Sequence, residues 1–181
     1  MKYEFTGEVK LHFGITLKQI RRIADKVIGG WIEKESNLSH EGDAWVYGNA
    51  QVYGNAQVYG NAWVYGNARV SGNARVSGNA RVYDDAEVYG DARVSGNAWV
   101  SGNARVYDDA EVLWVSKIGS RLGTTTFCVD RKLKISVSCG CYFGGIDDFE
   151  KRVQEVHKGT KHEAVYMAAI AMARAQLGDA K

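Results

Sequence analysis

The chain has 181 residues, with 23 Lys and Arg against 21 Asp and Glu, for a formal net charge of +2. That near balance excludes strong sequence-independent attraction to nucleic acid, and no run approaches the roughly 18 apolar residues of a membrane span. Proline is absent, 21 glycines recur mostly at one phase of a repeat, and the three cysteines (Cys128, Cys139, Cys141) are too few and too clustered for a disulfide framework. With no apolar signal segment in Met1–Lys10, the protein is expected to be soluble and cytoplasmic, its thiols reduced.

In chain order, Lys2–Phe13 alternates apolar and polar residues around Thr6-Gly7-Glu8, which predicts a short hairpin. Leu17, Ile20, Ala24 and Val27 then follow a 3-4-3 spacing behind a capping Thr16. That spacing favours a helix, although Gly14 and Gly29-Gly30 leave room for little of it, so an extended reading stays open. Counting back by sixes from the repeat, Ile32 and Leu38 occupy its alanine phase, and Lys34 and His40 its valine phase. Residues 1–43 are read as a degenerate N-terminal cap, because a perfect terminal coil would leave strand edges open.

From residue 44 a unit of six, Ala-x-Val-Tyr/Ser-Gly/Asp-Asn/Asp, repeats without insertion, its valines running from Val46 to Val112 and its alanines from Ala44 to Ala110. Such a hexad describes a parallel β-helix, three hexads to an 18-residue triangular coil. Valine points inward from the middle of each face, alanine fits the corner, and Gly-Asn or Asp-Asp supplies the unusual backbone angles of the turn. Stacked at about 4.8 Å per coil, about four regular coils make a prism roughly 20 Å tall.

These hexads resemble those of left-handed parallel β-helix proteins. More narrowly, Gly-Asn-Ala-x-Val repeats preceded by Gly29-Gly30-Trp31-Ile32-Glu33 and Asn37-Leu38-Ser39 resemble phage and prophage proteins of a mostly uncharacterised family. The resemblance implies a mainly β fold, a left-handed prism spanning residues 44–122, and a viral context, placing the protein in the host cytoplasm. It also implies self-association as a trimer or dimer.

An 18-residue period sorts the outward positions into three columns. Before the valines, one column reads Trp45, Trp63, Arg81, Trp99, with Tyr47, Tyr65, Tyr83 and Ser101 beside it. The others read Gln51, Arg69, Glu87, Arg105 and Gln57, Arg75, Arg93, Glu111. Arg81 between two tryptophans is expected to form a cation–π stack. The aromatic column is read either as internal or oligomeric packing, which is favoured because so much exposed aromatic area is uncommon, or as a platform for a ligand or host protein. The Arg69–Glu87–Arg105 column is expected to be a surface charge ladder.

Beyond Val112, Ser116–Arg121 keeps the phase and suggests a thirteenth, partial hexad. Residues 123–181 are expected to form a small ββαα domain. Its hairpin is Thr124–Val129 and Leu133–Cys139 about Asp130-Arg131-Lys132, with Phe127, Val129, Leu133, Ile135 and Val137 on one face. A helix capped by Asp147 runs through His157 to Gly159 with Phe149, Val153 and Val156 inward, and a second spans Lys161 to Leu177 with Val165, Ala168, Ile170 and Met172.

Many proteins resembling this hexad are acyltransferases with a histidine base, yet His12, His40, His157 and His162 all lie outside the regular coils. An acyltransferase-like enzyme is therefore the least favoured reading. Cys139-x-Cys141 with His157 and His162 is a poor zinc set, Asn-rich corners do not suit calcium, and no nucleotide-binding motif occurs, so no metal or cofactor is expected. Arg121, Cys141, His157 and Tyr166, with Ser120 and Cys139, form a candidate pocket for a small nucleotide-like anion. The favoured function is a non-enzymatic scaffold for self-association and protein binding, extending to host interaction or counter-defence. No membrane partner is expected.

Overall fold

A computed structural model describes residues 1–107, 112–130 and 133–178. Its three N-terminal strands are β1 (Tyr3–His12), β2 (Ile15–Arg22) and β3 (Ile28–Ile32), followed by one 3-10 turn, Glu35–Asn37. Among the described residues, eleven short strands then build the prism. The first coil holds β4 (Trp45–Val46), β5 (Gln51–Val52) and β6 (Gln57–Val58), and the second β7 (Trp63–Val64), β8 (Arg69–Val70) and β9 (Arg75–Val76). The third holds β10 (Arg81–Val82), β11 (Glu87–Tyr89) and β12 (Arg93–Val94), and the fourth β13 (Trp99–Val100) and β14 (Arg105–Tyr107).

The hexad folds as its chemistry requires. Alanines from Ala44 to Ala104 and valines from Val46 to Val106 are buried throughout, forming one continuous core. Coils pair in parallel register eighteen residues apart, with Val64 on Val82 and Val82 on Val100. Each coil donates backbone N–H groups to the next, as from Gln51 to the Ala68 carbonyl at 2.9 Å and Asn55 to that of Gly72 at 2.7 Å. Gly54, at φ 68°, shows why the corner selects glycine. The corner amides stack, Asn61 donating to Asn79 at 3.2 Å and Asn79 to Asn97 at 3.1 Å.

The N-terminal cap departs from the sequence reading in three ways. First, Thr6-Gly7-Glu8 is not a hairpin turn. β1 is one strand with a bulge there, its partners jumping from Phe5–Ile20 to Val9–Lys18, and the reversal comes at Phe13-Gly14. Second, the favoured helix over Leu17–Val27 is a strand, β2, leading into a turn. The pairing of β2 with β3 shifts between Gln19 and Arg21, where β3 takes an extra residue; Leu17 and Ile20 are both buried, though only Ile20 joins the prism core, and their spacing imitates a helix. Third, Ile32 and Leu38 stand in the valine positions, opposite Val52 and Val58, and not in the alanine phase. The chain between Leu38 and Val46 carries two residues more than the hexad, which shifts the count.

The cap seals the bottom coil with side chains where a further coil would offer backbone. The buried Asn37 donates its amide to the carbonyls of Gly54 (3.1 Å) and Ala56 (2.8 Å), while its oxygen accepts from Lys34 N–H at 2.9 Å. In regular coils those two carbonyl positions receive backbone N–H groups. Glu33 accepts from the Gly54 N–H at 2.6 Å, and the Tyr3 hydroxyl donates to the Leu38 carbonyl at 3.1 Å.

At the other end the period changes. The strand β15 (Val112–Ile118) begins an antiparallel meander with β16 (Gly123–Asp130), β17 (Lys134–Cys139) and β18 (Tyr142–Gly145), followed by α1 (Ile146–His157) and α2 (Lys161–Leu177). The partial thirteenth hexad is thus not a coil: Ser116 pairs with Thr124 inside that sheet. The expected ββαα module carries two further strands, β15 drawn from the segment read as repeat and β18 from the glycine turn. Ala110, Glu111 and the loop residues Arg131 and Lys132 lie outside the described residues.

Phe127, Ile135 and Val137 are buried against the helices as expected, whereas Leu133 is exposed. In α1, Phe149 and Val153 are buried and Val156 is exposed; in α2, the stripe Tyr166, Ala169, Ile170, Ala173, Leu177 faces the core, leaving Val165 and Met172 outside. The expected face was misplaced because alanine occurs all round this helix, and the sheet selected the side with Tyr166. The meander closes the prism: β16 crosses β13 and β14, and Thr126 Oγ1 accepts the Trp99 N–H at 2.9 Å. Ser101 and Ser138 hydroxyls meet at 3.0 Å in the buried seam.

Candidate functional site

The outward columns differ sharply from face to face. On one, β5, β8, β11 and β14 set Arg69, Glu87 and Arg105 in a row, with ion pairs of 3.2 and 3.1 Å. These pairs are partly exposed and each contributes little to stability. On a second, Arg75 and Arg93 pair as neighbours and are both exposed.

The third face, β4–β7–β10–β13, carries the aromatic column. Its lowest member, Trp45, is only 2% exposed, covered by the Arg22 guanidinium at 4.8 Å and by the edge of Tyr3 at 6.3 Å. Trp63 is 38% exposed, and Trp99 is half-buried beneath the C-terminal sheet. Between them the Arg81 guanidinium lies 5.3 Å from the Trp63 ring centre and 5.2 Å from that of Trp99. Beside this stack Tyr65 and Tyr83 lie parallel at 4.9 Å, and Tyr47 meets Trp63 edge-on at 5.7 Å. Parallel pairing enforces the stack, because Arg81 is in register with both tryptophans. Packing therefore accounts for Trp45, while Trp63, Arg81, Tyr65 and Tyr83 form an accessible ridge. Guanidinium sandwiched by two indoles is held in place while its N–H edge remains available to a carboxylate or carbonyl.

The C-terminal cluster is only partly assembled. Cys141, His157 and Tyr166 line a cavity of about 160 Å³ together with Cys139, Phe149 and Arg152. Arg121 does not line it; it sits in the exposed turn after β15. The guanidinium there belongs to Arg152, which the sequence reading missed; its place one residue before the buried Val153 on an amphipathic helix was the available signal. His157 stacks on Tyr166 at 5.4 Å, and the Cys139 sulfur lies 3.7 Å from the Tyr166 hydroxyl while accepting from Thr125 at 3.0 Å. The volume is well below the roughly 300 Å³ of a typical small-molecule site.

A larger cavity of about 550 Å³ near the end of α2 includes Arg174, but that cation is already held by Asp147 at 2.7 Å and Glu150 at 2.6 Å. Among the described residues no group of three or more His, Cys, Asp or Glu is placed to hold a metal ion.

Burial, and then the hydrogen bond with Cys139, pushes the Tyr166 phenol up to about 12. The folded state therefore holds this proton more tightly than the unfolded chain. Its contribution to stability is complete below pH 10, about the unperturbed tyrosine value, and is lost as pH rises through about 12. Thermal midpoints measured from pH 9 upward should fall more steeply in the wild type than in Tyr166→Phe; parallel slopes would refute this assignment.

The hexads match the family model described as the YdcK Beta solenoid repeat over residues 50–66, 56–72, 62–76, 68–84, 74–88 and 86–102. No curated protein matches the chain. Coiled geometry and family match agree that the central part of this chain is a β-solenoid repeat of about four turns, similar to that of the YdcK solenoid family.

Proposed function

We propose that the protein is a non-catalytic β-solenoid scaffold that binds a protein partner through the ridge of Trp63, Arg81, Tyr65 and Tyr83. The observation that carries this reading is the Arg81 guanidinium between two indoles on a face where Trp63 stays exposed. Aromatic and arginine side chains dominate the energetics of protein interfaces, and a rigid prism presents them at little entropic cost. The Gly-Asn-Ala-x-Val repeat supports a phage or prophage setting, in which the partner is a host protein in the cytoplasm.

Tagged wild-type protein and its Trp63→Ala, Arg81→Ala and Arg75→Ala variants should be compared as baits in host extract. Trp63→Ala is expected to weaken retention of the specific partner by about 30-fold or more, the range of an interface hot spot, and Arg81→Ala should do likewise. Arg75→Ala, on another face, should leave it unchanged. Equal retention by all four baits would overturn the assignment.

A further inference from the structure

The end of the β1–β2 hairpin overhangs the strand that ties it to the prism. β2 pairs with β3 only from Lys18 to Arg21, so residues 10–17, reversing at Phe13-Gly14, lie beyond that support among the described residues. The β1 bulge, with Gly7 at φ 95° and open space around it, stands where the support stops. Side chains hold the overhang down. The Lys10 ammonium lies 4.3 Å from the Trp31 ring centre, and the His12 ring meets Tyr53 edge-on at 5.4 Å. Leu17, directly opposite Lys10 and so on the same side of the pleat, is fully buried yet belongs to neither apolar core. Its shelter depends on the hairpin lying flat.

We propose that this hairpin end is an acid-released flap: a proton on His12 lifts residues 10–17 from the prism and uncovers Leu17, Trp31 and Tyr53. The surface is separate from the Trp63 ridge, so the proposal does not depend on the partner reading above.

The closed position of His12 is poorly suited to a charge. Its Nε2 is buried and has no hydrogen-bond partner. The charged groups acting on it are both cations, Arg69 on β8 and Lys10 on its own strand. Trp31 and Tyr53, from the other strands beneath, bring aromatic rings. The carboxylates along this face are committed elsewhere, Glu87 to Arg69 at 3.2 Å and Glu33 to the Gly54 N–H at 2.6 Å, while Glu8 stands exposed at the bulge. Burial, then Arg69, then Lys10 hold the His12 imidazole below its ordinary value of 6.5. The closed flap therefore prefers the neutral ring. That preference contributes fully above pH 6.5 and is lost as pH falls through the lowered value of the closed form.

Hydrogen exchange on the full chain tests the flap, comparing wild type with His12→Gln at about pH 7.5 and about pH 5 so that intrinsic rates cancel. Relative to the variant, wild-type amides of residues 10–17 should exchange about threefold or more faster at the lower pH than at the higher. Those of Val64 and Val82, in the middle coils, should show no such change. Arg69→Gln, with one cation removed, should show a smaller pH effect than wild type. A ratio of wild type to variant that is equal at both pH values would overturn the proposal. So would a hairpin end that gains protection on acidification, with His12 bonding the otherwise unpartnered Gln51 oxygen, or a loss spread equally into the middle coils.

Discussion

Asn37→Asp is expected to be the most damaging single-atom change in the N-terminal cap. The wild-type amide supplies two donors to the carbonyls of Gly54 and Ala56 from a fully buried position. An aspartate keeps the shape but turns an oxygen toward those two carbonyls and buries a carboxylate with no cation among its contacts. Removing the amide altogether, as in Asn37→Ala, leaves both carbonyls unpaired at about 1–3 kcal/mol each. That predicts a loss of about 3–5 kcal/mol for alanine and more for aspartate. With about 2–4 °C per kcal/mol for a chain of this size, the midpoint followed by circular dichroism should drop about 10 °C or more. Backbone amides of the cap, Trp31 and Ser39 among them, should lose protection from hydrogen exchange before those of the middle coils, because repeat arrays fray from their ends. A melt for Asn37→Asp that overlays the wild type would rule out this capping role.

Gly30→Ala is the second large effect, and its size follows from a close approach of backbone to backbone. Gly30 is the residue before Trp31, which pairs with Gln51, so it occupies the place that alanine holds in every regular hexad. A methyl group there would lie 2.7 Å from Val46 Cγ1, 2.8 Å from the Ala50 carbonyl oxygen and 3.2 Å from that of Tyr47. The valine methyl can rotate away, but the two carbonyls belong to the first coil and can yield only if β3 lifts off it. Lifting β3 would break the 2.9 Å hydrogen bond from Trp31 to Ala50. A cost of about 3 kcal/mol is expected, the upper part of the usual range for overpacking a core. Ala50→Gly, the converse change on the facing residue, removes one buried methyl and should cost about 1 kcal/mol. Comparable midpoints for the two variants would contradict the predicted crowding.

These two residues mark the limit of what the hexad discloses. The prism was legible because each inward position repeats with one residue type and one spacing, so the same local solution applies at every rung. The cap was not legible by counting. The two-residue excess between Leu38 and Val46 moved Ile32 and Leu38 into the valine positions. Between bulged neighbours β1 and β3, the burial of both Leu17 and Ile20 made them resemble a helix stripe. Both are irregularities that exist only in relation to a neighbouring strand.

The candidate site divides in the same way. The column Trp45, Trp63, Arg81, Trp99 was readable from the period alone, and its cation–π geometry follows from parallel register. Exposure was not readable. It depended on the Arg22 and Tyr3 side chains folding over Trp45 and on the meander settling near Trp99, both brought from distant parts of the chain. In the C-terminal module, a place beside a glycine turn suggested Arg121, whereas α1 delivered Arg152.

By itself, then, the sequence determined the parallel coils, their buried Ala and Val lattice, the Asn corner ladders and which column would be aromatic, since all of these are local and repeated. Only the tertiary structure decided how the prism ends and which tryptophan stays accessible. Those features arise where a coil has no next coil to pair with. There the unpaired backbone groups take partners such as Asn37 and Thr126, whose roles no period announces.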